Sequence, residues 1–231
     1  MTSEATIICL SLRIAALAML IAIPSGMILA WLLARKEFRG KFLLDTLVSL
    51  PLAVPPVVVG YFLLWSIGGN SWIGKVWESL FGGNLAFTWL AASLGAAVVA
   101  LPLIVRSFAA ALQGVDPQLE TAARVLGAGP WRTFFTITLP LAYRGVLAGV
   151  LLGFVRALSE FGATIVVAGN IPGSTQGIPS AIFTRLSTGD TGTAWRLAFV
   201  SIAIGVAALL IHNYLLNRAR ESNTTSSENT R

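Results

Sequence analysis

Charge is what this sequence has least of. Only 11% of its 231 residues are charged, against roughly 25% in a soluble domain, and the mean hydropathy is +0.78. So few charges cannot cover a globular surface, which excludes a soluble enzyme with a large core. Cysteine and histidine are scarcer still, at one each, Cys9 and His212. No internal disulfide can form, and a single histidine without partners makes no metal site. No cofactor is expected. A working phosphate loop is missing as well. Gly69–Lys75, GNSWIGK, imitates one, but Val76 stands where a Ser or Thr is needed. The start, MTSEATIICL, has an acid and no basic n-region. With about 28 apolar residues behind it, it reads as a first span and not as a cleaved signal peptide.

What is abundant is apolar sequence, 55% of the chain. It falls into five stretches long enough to cross a bilayer, at about 8–34, 43–67, 86–109, 141–168 and 197–217. Lipid leaves backbone groups no partner outside their own segment, so each span is expected to be helical. The fold class is therefore an all-α integral membrane protein. Residues 1–217 form one transmembrane domain, and 218–231 (ending ESNTTSSENTR) a polar cytoplasmic tail without structure. The net charge of +6 is spread over short loops, which argues for membrane orientation and against nucleic acid. Arg35, Lys36, Arg39 and Lys41 lie between spans one and two. Arg106, Arg124, Arg132 and Arg144 lie in or beside the third connection, and Arg218, Arg220 and Arg231 follow span five. The positive-inside rule then places the N-terminus outside and the C-terminus in the cytoplasm.

Tryptophans mark the span ends, where amphipathic rings settle: Trp31, Trp65, Trp89 and Trp195. The outer loop at about 68–85 holds Trp72, Ile73, Val76, Trp77 and Leu80 at helical spacing. That pattern suits a helix lying on lipid, or a docking surface for an external partner.

The loop Asp116–Pro140, DPQLETAARVLGAGPWRTFFTITLP, is the most informative stretch. Asp116 is a good N-cap and Pro117 fits a first helical turn. Leu119, Ala122, Ala123 and Leu126 share one face, and Gly127 stops the helix. Pro130 begins a second helix with Trp131, Phe134, Phe135 and Thr138 on one side, and Leu139-Pro140 ends it. From the pattern alone, this is either an interfacial amphipathic pair resting on lipid or a dock for a cytoplasmic protein. The spacing Thr121-Ala122-Ala123, Gly127, Ile137-Thr138-Leu139-Pro140 resembles the coupling-loop signature of bacterial ABC importer permeases, EAA-x3-G-x9-I-x-L-P. It departs from it at the first position, where Thr121 follows the acid, Glu120. The resemblance implies that Glu120, Thr121, Ala122, Ala123, Arg124, Gly127, Ile137, Leu139 and Pro140 couple the chain to an ATPase.

A second constellation is Arg156-Ala157-Leu158-Ser159-Glu160-Phe161-Gly162. With span four starting near Leu141, Arg156 lies about 22 Å along it, past mid-membrane. Ionisable groups there face protein or water. Arg156 and Glu160 are four apart and suit a mutually neutralising pair on one helix face. The same pair, with Ser159 and Gly162, also suits the polar wall of an anion pathway. Pro51, Pro55 and Pro56 interrupt span two, as a static kink or as a broken segment beside that pathway. Gly145, Gly149 and Gly153 form a ridge for close helix packing, within the chain or between copies.

Residues 154–183, RKEFRGK (35–41) and LPLAVPPVVVGY (50–61) resemble the permeases of molybdate ABC transporters more closely than the sulfate or thiosulfate permeases. The resemblance covers about residues 12 to 216. It implies an inner-membrane homodimer carrying two copies of an ABC ATPase. A periplasmic or lipoprotein binding protein would deliver molybdate or tungstate. An ion-coupled secondary anion transporter remains the rival from another class.

Overall fold

The computed structural model describes residues 3–228, with side chains through Asn217. Every regular element among them is helical. Several helices open on a residue the sequence supplies for that purpose. Ser3 accepts the Thr6 N–H at the start of α1 (Glu4–Arg35), and Ser71 accepts that of Gly74 at the start of α4 (Trp72–Phe81). Thr88 does the same for Ala91 in α5 (Trp89–Gln113). Such caps satisfy N–H groups that have no intrahelical partner. The imitation phosphate loop is thus an ordinary helix start. The helix expected within 68–85 is present, with Trp72, Ile73, Val76 and Leu80 exposed and Trp77 stacked on Phe81.

Span two is not one helix. It is α2 (Lys41–Ala53) and α3 (Pro56–Ile67), meeting at 112°. Pro51 is tolerated inside α2, whereas Val54 and Pro55 are extended and break the run. Proline lacks the N–H, and the residue before it is pushed out of the helical region.

Side-chain neighbours fix how the long helices run. The Arg13 guanidinium lies 3.8 Å over the Trp89 ring at the start of α5. Gly26 touches Leu101 and Ile104, and Arg35 donates to the Val115 carbonyl just past the end of α5. α1 and α5 are therefore parallel, and the bent α2–α3 pair carries the chain from one end of the bundle back to the other. α8 (Leu139–Leu158) runs antiparallel to α5, because Gly145 meets Ala111, Gly149 meets Ser107 and Phe108, and Gly153 meets Ile104. The glycine ridge thus serves packing within the chain. α11 (Thr191–Glu228) returns in the direction of α1. Arg196 near its start pairs with Glu4 at 2.6 Å, and His212 bonds the Ala148 carbonyl at 2.8 Å. Before α11, Asp190 accepts the Thr193 N–H at 3.1 Å. The hydroxyl and N–H of Thr193, helped by the nearby Arg185 and Arg196, hold its carboxyl below the ordinary 3.8.

Two sequence expectations need correcting. The span expected at 141–168 starts earlier and ends sooner: one continuous helical run covers Pro130–Leu158, and α9 (Gly162–Ala168) is separate. The tail expected to lack structure continues α11 as far as Glu228, leaving 229–231 outside the described residues. Once a span has nucleated a helix, each further residue adds a hydrogen bond without a new nucleation cost.

The core is small-residue packing around α5. Ala15, Ala18 and Ala22 of α1 face Ala92, Ala96 and Ala100 of α5 in one buried cluster. Large apolar side chains such as Leu20, Phe62, Trp65, Phe199 and Leu210 lie outside it, exposed. That inversion suits a chain whose surroundings are hydrocarbon.

Close approach gives the first test. A Cβ on Gly60 would lie 2.6 Å from the Ala163 carbonyl oxygen, whereas one on Gly205 meets nothing. Gly60→Ala is expected to destabilise the purified protein by about 1–3 kcal/mol through overpacking, and Gly205→Ala to leave it unchanged. Thermal unfolding in detergent measures both.

Candidate functional site

The first site is built at the bundle end where α1 and α5 finish. Asp116 accepts the Gln118 N–H at 2.8 Å and Pro117 opens α6 (Pro117–Val125). A short helix of this kind cannot hold itself in water, so its tie to the bundle matters. That tie is Glu120, only 8% exposed. One carboxylate oxygen takes Arg35 at 2.8 Å and the Thr138 hydroxyl at 2.9 Å, and the other faces Arg124 at 3.8 Å. Arg35 also holds the Val115 carbonyl. One acid thus joins the end of α1, the end of α5, α6 and the helix leaving the loop. Charge-assisted bonds of this kind are the strong ones.

Thr121, which aligns with the motif's acidic position, is exposed and, among the described residues, its hydroxyl bonds only the Pro117 carbonyl of its own helix. The inward acid is the one a residue earlier. Sequence reading counted Arg35 only as loop charge and missed it as the partner of Glu120. A single basic residue 85 positions away gave no signal of that contact.

The other face of α6 is open. Leu119, Ala122, Val125 and Leu126 are exposed, the last two by 81% and 87%. Gly127 follows at φ +87°, with nothing within 4 Å of an added Cβ. Glycine is needed there for the turn and not for space. The loop's second helix departs from expectation. Leu139-Pro140 does not end it. α7 (Pro130–Thr133) passes through a π-turn at Phe134–Thr138 directly into α8. The wider π-turn lies just ahead of Pro140, where a regular turn would lack the proline N–H and press its ring against the carbonyl four residues back. The same turn separates residues expected on one side. Trp131 and Phe135 point outward at 77% and 58% exposure, Phe134 packs on the core, and Thr138 is buried against Glu120. Ile137 and Leu139 are half-buried beside them, and Arg132 is exposed.

The second site lies at the far end of the same helix. Arg156 is two residues from the end of the 29-residue run Pro130–Leu158, further along its helix than the expected 22 Å. The 141 start point missed the first three turns. The Arg156–Glu160 pair does form, at 2.7 Å, but across a helix break and not along one face. Glu160 is 5% exposed, and its second oxygen accepts the Ala163 N–H at 2.7 Å, capping α9. Ser159 bonds back to the Arg156 carbonyl. Gly162 brings the start of α9 to within contact of Pro56 and Val57, where α3 begins. The two chain breaks, at Pro55-Pro56 and at Ser159–Phe161, therefore abut.

Sequence reading missed the polar lining around this break. Ser11, Thr164, Thr175 and Ser180 border a small pocket with Glu160. Ser11 accepts the Ile178 N–H of α10 (Ile178–Ser187) at 2.7 Å. Nearby, Gln176 and Asn170 both bond Thr184. The run GNIPGSTQGIPS between apolar segments was the available signal.

The structure is a polytopic helical bundle with an anchored amphipathic helix, on a short loop, whose apolar face is exposed. The chain belongs to the family described as binding-protein-dependent transport system inner membrane component, which matches residues 22–221. It is 51% identical over 92% of its length to the molybdenum transport system permease protein ModB of Escherichia coli K12, covering 93% of that protein. Identity to the E. coli sulfate transport system permease protein CysT is lower, 37%, over 84% of this chain and 69% of that one. A solved bacterial alginate ABC transporter shares the fold at TM-score 0.66 and 20% identity, over 96% of this chain and 80% of that one. The protein is thus an inner-membrane ABC permease by family and not an enzyme.

Breaking the buried Glu120 tie should be costly, since removing one partner of a buried pair leaves the other uncompensated, at about 3–5 kcal/mol. Glu120→Ala is expected to destabilise the purified permease on that scale, and Thr121→Ala by under about 1 kcal/mol. Denaturant or thermal unfolding of the two variants side by side checks the ranking.

Proposed function

We propose that this chain imports molybdate, with tungstate as a close substitute, as a homodimer driven by two copies of a separate ABC ATPase. A binding protein on the outer side delivers the anion. The observation that carries the coupling half is the Glu120 tie. It fixes α6 rigidly to the ends of α1 and α8 while leaving its apolar face open. A helix held this way transmits force. Movement of a docked ATPase against Leu119, Ala122 and Leu126 passes through Glu120 and Thr138 into the helix that reaches Arg156 without interruption. Gly127 sets the angle between α6 and that helix.

At the far end, Arg156, Ser159, Glu160 and Gly162, beside Pro55 and Pro56, form the wall of the pathway. Arg156 is a quarter exposed and supplies donors to a passing oxyanion while Glu160 stays buried. The paired breaks let α3 and α9 move together. The molybdate assignment rests on the 51% identical relative and the lower identity of the sulfate one. An ion-coupled secondary transporter has no use for an anchored docking helix. The N-terminus faces outward and the Arg35 end faces the cytoplasm, following the positive charge around the loops.

The deciding experiment is uptake of radiolabelled molybdate by the reconstituted permease, ATPase and binding protein, with and without ATP. Uptake that needs ATP and resists excess sulfate is expected. ATP-independent uptake would refute the reading. Gly127→Val would resist the left-handed turn by about 1–2 kcal/mol. It is expected to leave insertion and dimer intact but to weaken ATPase retention or its stimulation by loaded binding protein. Wild-type values of retention, stimulated hydrolysis and uptake together would show that the loop is not the mechanical joint.

A further inference from the structure

One element that neither site uses is α4. It stands at the end of the bundle opposite α6, between the last residue of α3 and the first of α5. Its side chains divide it into three sides. At 3.6 residues per turn, Trp72, Ile73, Val76 and Leu80 fall within about 100° of one another. All four are exposed, Trp72 by 79% and Leu80 by 70%. Gly74 and Trp77 make the second side and face the protein. Gly74 is buried, a Cβ on it would collide with the Gly68 carbonyl, and Trp77 packs on the core. Lys75, Glu78 and Ser79 make the third side, and all three are exposed.

Each side calls for different surroundings. The apolar stripe runs the length of the helix, from Trp72 at its first residue to Leu80 beside its last. A surface built to dock a protein is an apolar centre closed by a polar rim. Here polar residues lie along one long edge only, and both ends of the stripe stay open. The level of the helix is fixed as well. Gly68 is the C-cap of α3, a member of the bent pair long and apolar enough to cross a membrane, and Gly74 sits directly on it. α4 is therefore held where α3 leaves the hydrocarbon. An indole at that boundary keeps its ring in the apolar layer and its N–H in the wet one.

We propose that α4 lies in the membrane interface, with the lipid surface as its partner, and that it anchors the Gly68 end of α3 there. The Trp72–Leu80 stripe sinks among the acyl chains just below the headgroups. The Lys75, Glu78 and Ser79 side meets headgroups and water, and the Gly74–Trp77 side holds the bundle. The sequence pattern suits lipid or an external protein equally. The three-sided division selects lipid. α3 is then tethered at Gly68 and moves at its other end, at the Pro55 break. The lipid contact holds for either orientation of the chain and does not rest on the import reading.

Spin-label accessibility in proteoliposomes of phosphatidylethanolamine and phosphatidylglycerol tests the contact. In a Cys9→Ser background, Lys75→Cys, Val76→Cys, Ser79→Cys and Leu80→Cys each carry one nitroxide. Oxygen concentrates in hydrocarbon and a nickel chelate in water, so the ratio of their collision rates reads the surroundings. That ratio is expected to be at least threefold higher at Val76→Cys and Leu80→Cys than at the other two. Adding molybdate-loaded binding protein to the complex of permease and ATPase should leave it unchanged. Equal ratios at all four positions put α4 in water and overturn the proposal. Collisions with neither reagent at Val76→Cys and Leu80→Cys mean that a second copy covers the stripe, and overturn it. So does a loss of oxygen collisions when the binding protein is added. For the anchoring, Val76→Ser with Leu80→Ser changes two exposed side chains. It should lower molybdate uptake at least threefold with yield and ATPase retention normal. A smaller reduction, or lost ATPase retention, overturns the anchoring. A wild-type complex that imports no molybdate refutes the import reading and leaves the accessibility result standing.

Discussion

Everything in this bundle depends on how closely other helices can approach α5. In hydrocarbon, no hydrophobic force drives one apolar helix onto another, so association comes from van der Waals contact over short distances. The chain meets that constraint with alanines on α1 and α5 and with glycines on their neighbours. Gly26, Gly145, Gly149 and Gly153 each sit where an added Cβ would fall within 3 Å of a side chain on α5. Gly95 of α5 and Gly60 of α3 play the same part toward α9. With that contact set, α1, α8 and α9 have one position each, and the two candidate sites at opposite ends follow from it.

Ion pairs then act where helices stop. Arg35–Glu120 closes the end that carries α6, Arg156–Glu160 spans the break between α8 and α9, and Arg196–Glu4 holds the first helix to the last. Each pair neutralises charge at a point where backbone groups also lack helical partners. Glu160 shows the economy of this. The same carboxylate balances Arg156 and caps α9. A single long helix connects the two ends. Under the proposed import reading, that helix is the mechanical link between the α6 dock and the Arg156 wall.

Much of this was legible in the residues. The approximate positions of the first, third and fifth spans followed from hydropathy, because a bilayer sets a minimum apolar length. The α6 helix was readable from Asp116, Pro117 and Gly127, since caps and turns are local chemistry. The relation between helices was not readable. Pro140 looked like a stop, yet a π-turn upstream absorbs it. Arg156 and Glu160 looked like neighbours on one helix, yet Ser159 and Phe161 leave helical geometry between them. Thr138 looked like part of an outward face, yet it turns in to meet Glu120.

The sequence by itself determined that this is an all-helical membrane chain, where several of its helices are capped, and which loop carries an amphipathic helix. Those properties depend on residues within a few turns of one another. Only the tertiary structure decided that Glu120 and not Thr121 is the buried acid, that Arg35 holds it, and that the breaks at Pro55 and Ser159 lie against each other. Such contacts join residues tens to a hundred positions apart. They exist only because small side chains let helices approach within contact distance, and that approach leaves no periodic trace in the sequence.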